Sequence, residues 1–290
     1  MAGNRPEDAP SAVAVRGEYE MTNPHRRRLL VSLLIGAVAC MSALAVHAQP
    51  SVDELRRLVE QGDADAQYAL GGIYGDRDGP IARDMIEAVG LFRLAAEQGH
   101  LLAQMALATI YLVGEGVPQT PAEAERWFRR AAEQGDAQAQ HNLGQIYQGL
   151  PEPYRTDHDV PVDHAEAVRW FEQSAEQGHV WAAKNLAAKY RDGHGIPQDH
   201  AAAFRWFLHA AELGNVEAQG EVGTLYAFGQ GVPQDDVAAY MWLDLATLQA
   251  SGENLQVLLI DREEVAERLS AEQFAEAQRR VQTWTPTPAR

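Results

Sequence analysis

The sequence predicts an all-α fold: about five helical hairpins stacked end to end as a solenoid, with capping helices at both ends. Three observations carry that prediction. Tyrosines that end short apolar runs recur at Tyr74, Tyr111, Tyr147, Tyr190 and Tyr226, in steps of 37, 36, 43 and 36 residues. Gly62, Gly99, Gly135, Gly178 and Gly214 repeat in the same phase, as do two alanine columns, Ala66/103/139/182/218 and Ala88/124/167/203/239. Within a unit the apolar residues keep helical spacing: Ala139, Leu143, Ile146 and Tyr147 stand at i, i+4, i+7 and i+8. Helices this short and one-sided are not stable alone, so their faces must be buried by stacking neighbours.

The elements follow in order. Residues 1–48 read as an N-terminal extension and export signal, with Met21 the expected start: Arg26, Arg27 and Arg28 precede the apolar stretch Leu29–Val46, and Val46-His47-Ala48 supplies small residues for cleavage between Ala48 and Gln49. An uncleaved anchor helix, or a lipoprotein acylated at Cys40, are the alternatives. Residues 49–61 read as a capping helix, 62–252 as the repeats, 253–284 as two closing helices, and 285–290 as a frayed tail. In each unit the first helix carries a small residue beside its leucine (Gly71, Ala108, Gly144, Ala187, Gly223), which lets a neighbour approach closely. The second helix starts at an N-cap: Asp84, Thr120, Asp163, Asp199 or Asp235. Its buried face is expected to carry the aromatic pairs Trp127-Phe128, Trp170-Phe171 and Trp206-Phe207. The step of 43 places extra residues in the third unit around Leu150–Asp159. Near the end, Ser270 and Gln273 form a capping box.

Composition excludes several functions. The 290 residues hold 41 acids against 24 Lys and Arg, a net charge of −17. Removing residues 1–48 takes five arginines and four acids, leaving 19 bases against 37 acids, or −18. Such a balance argues against nucleic acid, whose phosphates need clustered bases. The two lysines, Lys184 and Lys189, rule out a phosphate-binding GK[ST] loop, and Cys40 falls in the signal, leaving no thiol chemistry in the exported chain.

The repeated pattern LG..Y..G.GVPQD...A..W...AAEQG resembles the Sel1-like repeat, a relative of the tetratricopeptide repeat. The clearest units are Leu107–Gly135, Leu186–Gly214 and Val222–Gly252; the first unit lacks the GxG-V-P loop at Gly75–Arg83, and the third loses it to its insertion. The resemblance implies a right-handed superhelical solenoid whose first helices line a concave binding surface. Positions pointing away from the Ala/Leu/Tyr face include Asp65, Gln138 and Glu217. The partner-binding candidates among these positions are Tyr68, Leu102, Met105, His141, Trp181 and Lys184. The glutamines Gln67, Gln104, Gln140 and Gln219 are expected to make hydrogen bonds between helices.

Catalysis has less support. Asp157, His158, Asp159, Asp163 and His164 cluster at the insertion, yet Asp163 is first a helix cap, and no metal-binding HExxH or paired CxxC occurs. Of the serines after residue 48, Ser51, Ser174, Ser251 and Ser270, none lies in a nucleophile motif. The expectation is a monomeric, non-catalytic scaffold without catalytic residues, metal or cofactor, periplasmic or secreted, not inserted in the membrane once cleaved, and holding a protein partner that its acidity selects to be basic. A peptidoglycan-active hydrolase working through carboxylates is the alternative reading.

Overall fold

The computed structural model describes residues 50–151, 154 and 160–287. Among these there are thirteen α-helices and no strand. Helix α1 (Val52–Glu60) leads in, followed by five hairpins: α2 (Ala64–Gly75) with α3 (Met85–Glu97), α4 (Leu101–Val113) with α5 (Pro121–Glu133), α6 (Ala137–Gln148) with α7 (His164–Glu176), α8 (Val180–Asp192) with α9 (His200–Glu212), and α10 (Val216–Phe228) with α11 (Asp236–Thr247). Helices α12 (Gly252–Ala266) and α13 (Ala271–Thr283) follow. Helices α1 to α11 each pack chiefly on those before and after them in the chain, the arrangement of a solenoid, and α12 and α13 both pack on α11. The export signal and most of the insertion lie outside the described residues.

Caps set the helix starts. The carboxylates of Asp84, Asp163, Asp199 and Asp235 accept first-turn amides of the second helices. Thr120 does not: its hydroxyl donates to the Pro118 carbonyl at 3.1 Å. Pro121 stands at the first helical position, where no N–H is needed, and the Glu123 N–H bonds the Thr120 backbone carbonyl.

Packing explains the small-residue column. A Cβ on Gly144 would sit 2.4 Å from the Phe171 ring, and one on Gly223 would sit 2.6 Å from Leu243. These glycines let the second helix press against the first. The Gly-x-Gly loops have a separate role. Gly195 and Gly231, both at positive φ, rest on the backbone of His164 and His200, where a Cβ would lie 2.3 and 2.0 Å from the carbonyl oxygens. Each loop therefore locks onto the second helix of the preceding unit.

The interior is filled by Leu107, Leu143, Leu186, Phe128, Phe171 and Phe207, all buried, with the alanine columns between them. Trp127 and Trp170 join them, but Trp206 is only half-buried, its ring edge-on to His209 at 5.9 Å. The column position holds a core side chain in the second and third units and a partly solvated one in the fourth.

At the far end the capping box of Ser270 and Gln273 forms. Phe274 meets Tyr240 edge-on at 5.0 Å, and Trp284 meets Trp242 at 5.9 Å. The expected fraying does not begin at residue 285. Thr287 N–H donates to the Glu212 carbonyl at 2.7 Å, and Pro286 lies over Gly214.

Candidate functional site

The first helices α2, α4, α6, α8 and α10 each begin at a cap, and those caps decide what their outer positions can do. Asp63, Asp136 and Asn215 accept the N–H of the third helical residue through a short side chain. His100 and His179 do the same through Nδ1, at 3.1 and 3.2 Å. An imidazole accepting at Nδ1 carries its proton on Nε2. That second nitrogen reaches back across the repeat junction: His100 Nε2 lies 3.2 Å from Asp65 Oδ1, and His179 Nε2 lies 3.1 Å from Gln138 Oε1. The rings also stack, His100 on Tyr68 and His179 on His141, both with centroids 4.7 Å apart. A histidine cap therefore contacts two side chains of the preceding first helix, stacking on one and pairing with the other, and Asp65 stays exposed as it does so.

This accounts for where the six candidates lie. Tyr68 and His141 are wedged under the histidine caps rather than open to a partner. Tyr68 also packs on Phe92, and burial raises its hydroxyl pKa. His141 is pushed down to about 3, first by burial and then by the His179 and Lys184 charges. Its Nε2 is 3.3 Å from the Asn185 amide nitrogen. Met105 is partly buried against the core. At the other two junctions the cap is Asp136 or Asn215, too short to reach backward. There Leu102 and Trp181, at the same register position of α4 and α8, stay 48% and 50% exposed. Lys184 lies 5.3 Å from the Trp181 ring and pairs with Glu217 at 2.6 Å. The candidates divide into two uncovered apolar side chains, a cation beside one of them, and three packing residues.

The glutamine column does link helices. Gln67, Gln104 and Gln140 each accept, at 2.7 Å, from Gln98, Gln134 and Gln177 at the end of the second helix of the same unit. Gln104, Gln140 and Gln219 also donate to the carbonyls of Ala96, Ala132 and Ala211. Sequence reasoning missed the donor glutamines and the histidine caps. The signal for the caps was present: His100 and His179 occupy the column that elsewhere holds Asp63, Asp136 and Asn215.

Of the metal cluster suggested at the insertion, Asp157, His158 and Asp159 lie outside the described residues. Asp163 is spent on capping α7, and His164 stacks on His194 at 5.6 Å. Lys189 is unexpected: it stands in the column of Ile73, Ile110, Ile146 and Leu225, buried, with its pKa lowered by desolvation. Among the described residues no group of three potential metal ligands occurs, and no helix is long and apolar enough to cross a membrane.

The Sel1 repeat matches residues 64–100, 101–136, 137–179, 182–215 and 216–251, one match for each hairpin. This chain belongs to the Sel1 repeat family. A solved Sel1-like repeat protein, c5321, a protective antigen present in uropathogenic Escherichia coli strains, is 31% identical with a TM-score of 0.65. The similarity covers 88% of this chain but 52% of that one, so this chain spans about half the length of that relative. A Sel1 repeat protein from Oxalobacter formigenes, 24% identical over 78% of this chain and 93% of its own, shares the fold with a TM-score of 0.65. No curated protein matches the sequence. The Sel1 hairpins thus supply a platform, and its outer positions vary from unit to unit.

Proposed function

We propose that this Sel1 repeat protein is an exported, non-catalytic scaffold of the bacterial cell envelope, and that it holds a protein partner on the face formed by its first helices. The observation that carries this is the pair Leu102 and Trp181. Two large apolar side chains sit half in solvent at the same register position of two first helices, two units apart. Uncovered aromatic and aliphatic side chains on a rigid platform are the usual anchors of an interface. Export is supported by Arg26–Arg28 ahead of Leu29–Val46 and by the small residues before Gln49. The description of a 31% identical relative as a protective antigen fits a protein outside the cytoplasm.

The test is crosslinked affinity capture from the envelope fraction, comparing the parent chain with Leu102→Ser/Trp181→Ser. A partner that is recovered with the parent and lost with the variant supports the reading. Identical recoveries, or none with either chain, would overturn it. N-terminal sequencing of the exported protein checks the location separately, with Gln49 the expected first residue.

A further inference from the structure

We infer that His141 and His179 form an acid-operated catch at the junction of α6 and α8, which holds the first turn of α8, and with it the Trp181 anchor, at neutral pH and frees both in acid. This rests on the scaffold reading and adds how the partner is let go. The two rings stack with centroids 4.7 Å apart, and each has an acceptor nitrogen already in use. His179 Nδ1 takes the Ala182 N–H at 3.2 Å, which caps α8, and His141 Nε2 takes the Asn185 amide at 3.3 Å. A protonated imidazole has two donors and no acceptor. Taking up a proton therefore turns either contact into a donor facing a donor, and charging both rings stacks two cations on each other.

The surroundings do little to receive that charge. Burial is the first cause that holds both imidazoles below the ordinary histidine value. Lys184 on α8 adds its repulsion at His141, and Asp136 at the start of α6 favours a charged His179. Both are engaged elsewhere: Asp136 accepts the Ala139 N–H at 2.7 Å, and Lys184 pairs with Glu217 of α10 at 2.6 Å. No charge of α5 or α7 is among those that set the two pKa values, and the α7 neighbour of His141 is the Phe171 ring, with centroids 5.9 Å apart. The remaining His179 contact, Gln138 Oε1 at 3.1 Å, is neutral.

The other histidine cap has the same geometry with different partners. His100 Nδ1 takes the Ala103 N–H at 3.1 Å, but its ring stacks on Tyr68 and its Nε2 faces the Asp65 carboxylate at 3.2 Å. A proton gained by His100 loses the cap yet gains an ion pair and a cation over an aromatic face. At His179 the same proton meets an amide and a second imidazole. Trp181 lies in the turn that His179 caps, and Lys184 follows one turn on, 5.3 Å from the Trp181 ring. The anchor thus stands on a first turn whose cap acid removes without return.

The experiment is amide hydrogen exchange of the purified protein, read by mass spectrometry at about pH 7.5 and about pH 5, with each rate corrected for its intrinsic pH dependence. A histidine that titrates at about 3 when closed and about 6.5 when open makes opening more than about tenfold easier at the lower pH. Protection of α8 from Ala182 onward should therefore fall by about tenfold or more, while that of α4 from Ala103 onward should hold. Gln138→Asp/His141→Tyr, which copies the His100 junction, should abolish the fall. Asp65→Gln/Tyr68→His, the reverse exchange, should install a fall at α4, so that either swap reads the catch if the other does not fold. A partner captured from the envelope at neutral pH should leave the parent at about pH 5 and stay on Gln138→Asp/His141→Tyr. Equal protection of α8 at both pH values, or an equal fall in the parent and Gln138→Asp/His141→Tyr, would overturn the inference, as would a partner that the parent keeps in acid. No capture even at neutral pH would overturn the scaffold reading and partner release with it, while the exchange data decide the catch by themselves.

Discussion

Substituting Gln134 by Leu removes the donor that satisfies Gln104 Oε1, a contact of 2.7 Å to a buried side chain. The Gln104 amide would keep its bond to the Ala96 carbonyl, but its oxygen would be left inside the junction without a partner. A buried acceptor stripped of its donor costs about 1–3 kcal/mol. Gln134 is itself largely exposed, so the new Leu recovers little by burial, and a loss of about 1–2 kcal/mol is expected. The chain contains both ends of this experiment. The fourth unit has Ala183 and Leu213 at these positions, an apolar pair with nothing to satisfy. The fifth has Gln219 and Gln249 at these positions, and Gln219 donates to the Ala211 carbonyl. Gln104→Ala/Gln134→Leu, which copies the fourth unit, should cost less than the sum of its parts by about 1 kcal/mol. Urea unfolding followed by helical circular dichroism and tryptophan fluorescence reads all three chains. If Gln134→Leu shifts the midpoint by less than the error, or raises it, the ladder is not a determinant of stability.

Gly144→Ala should destabilise by about 1–3 kcal/mol through its clash with Phe171, whereas Gly72→Ala, mid-helix with nothing within 4 Å of a new Cβ, should stabilise by about 0.5–1 kcal/mol. Thermal melts of the two variants must move in opposite directions. Acid should destabilise the junction of α6 and α8. His141 sits near 3 in the folded chain against about 6.5 when unfolded, so below pH 6.5 the unfolded chain takes up a proton that the folded chain refuses. Stability is full above that pH and declines toward pH 3, and His141→Tyr, which copies Tyr68, should flatten the decline between pH 6.5 and 4.5; equal slopes would refute the assignment. Glu133→Lys should raise stability by about 0.3–1 kcal/mol by reversing an unfavourable helix-end charge, and no gain in a low-salt melt would count against the dipole argument.

The repeat, the positions of the hairpins and the aspartate caps were legible because each rests on local rules the chain states five times. Period and glycine phase fix the units, and a cap acts within three residues of itself. The surface was less legible because it depends on contacts between units. Tyr68 and Leu102 both read as outward positions on a first helix, but they stand at different registers: Tyr68 and Met105 share the position that packs against the core, and Leu102 and Asp65 share the one that stays open. Trp206 reads like Trp127 and Trp170 in the sequence, and its partial exposure emerges only in the packed solenoid.

A repeat protein varies the same position several times within one chain, and the variation here is coupled. Histidine caps accompany a ring at the stacking position and an acceptor one turn before it, as Tyr68 with Asp65 and His141 with Gln138. Short caps accompany Met105 with Leu102 and Lys184 with Trp181. Paired glutamines alternate with a paired Ala183 and Leu213. In each coupled set the energetic reason is visible: a stack, a hydrogen bond, or the avoidance of a buried unpaired acceptor. Leu102 and Trp181 differ from these sets in that about half of each side chain stays in solvent, with Lys184 lying 5.3 Å from the Trp181 ring. On the scaffold reading proposed above, their shared register on two first helices is where a partner would gain the burial that the fold itself does not supply.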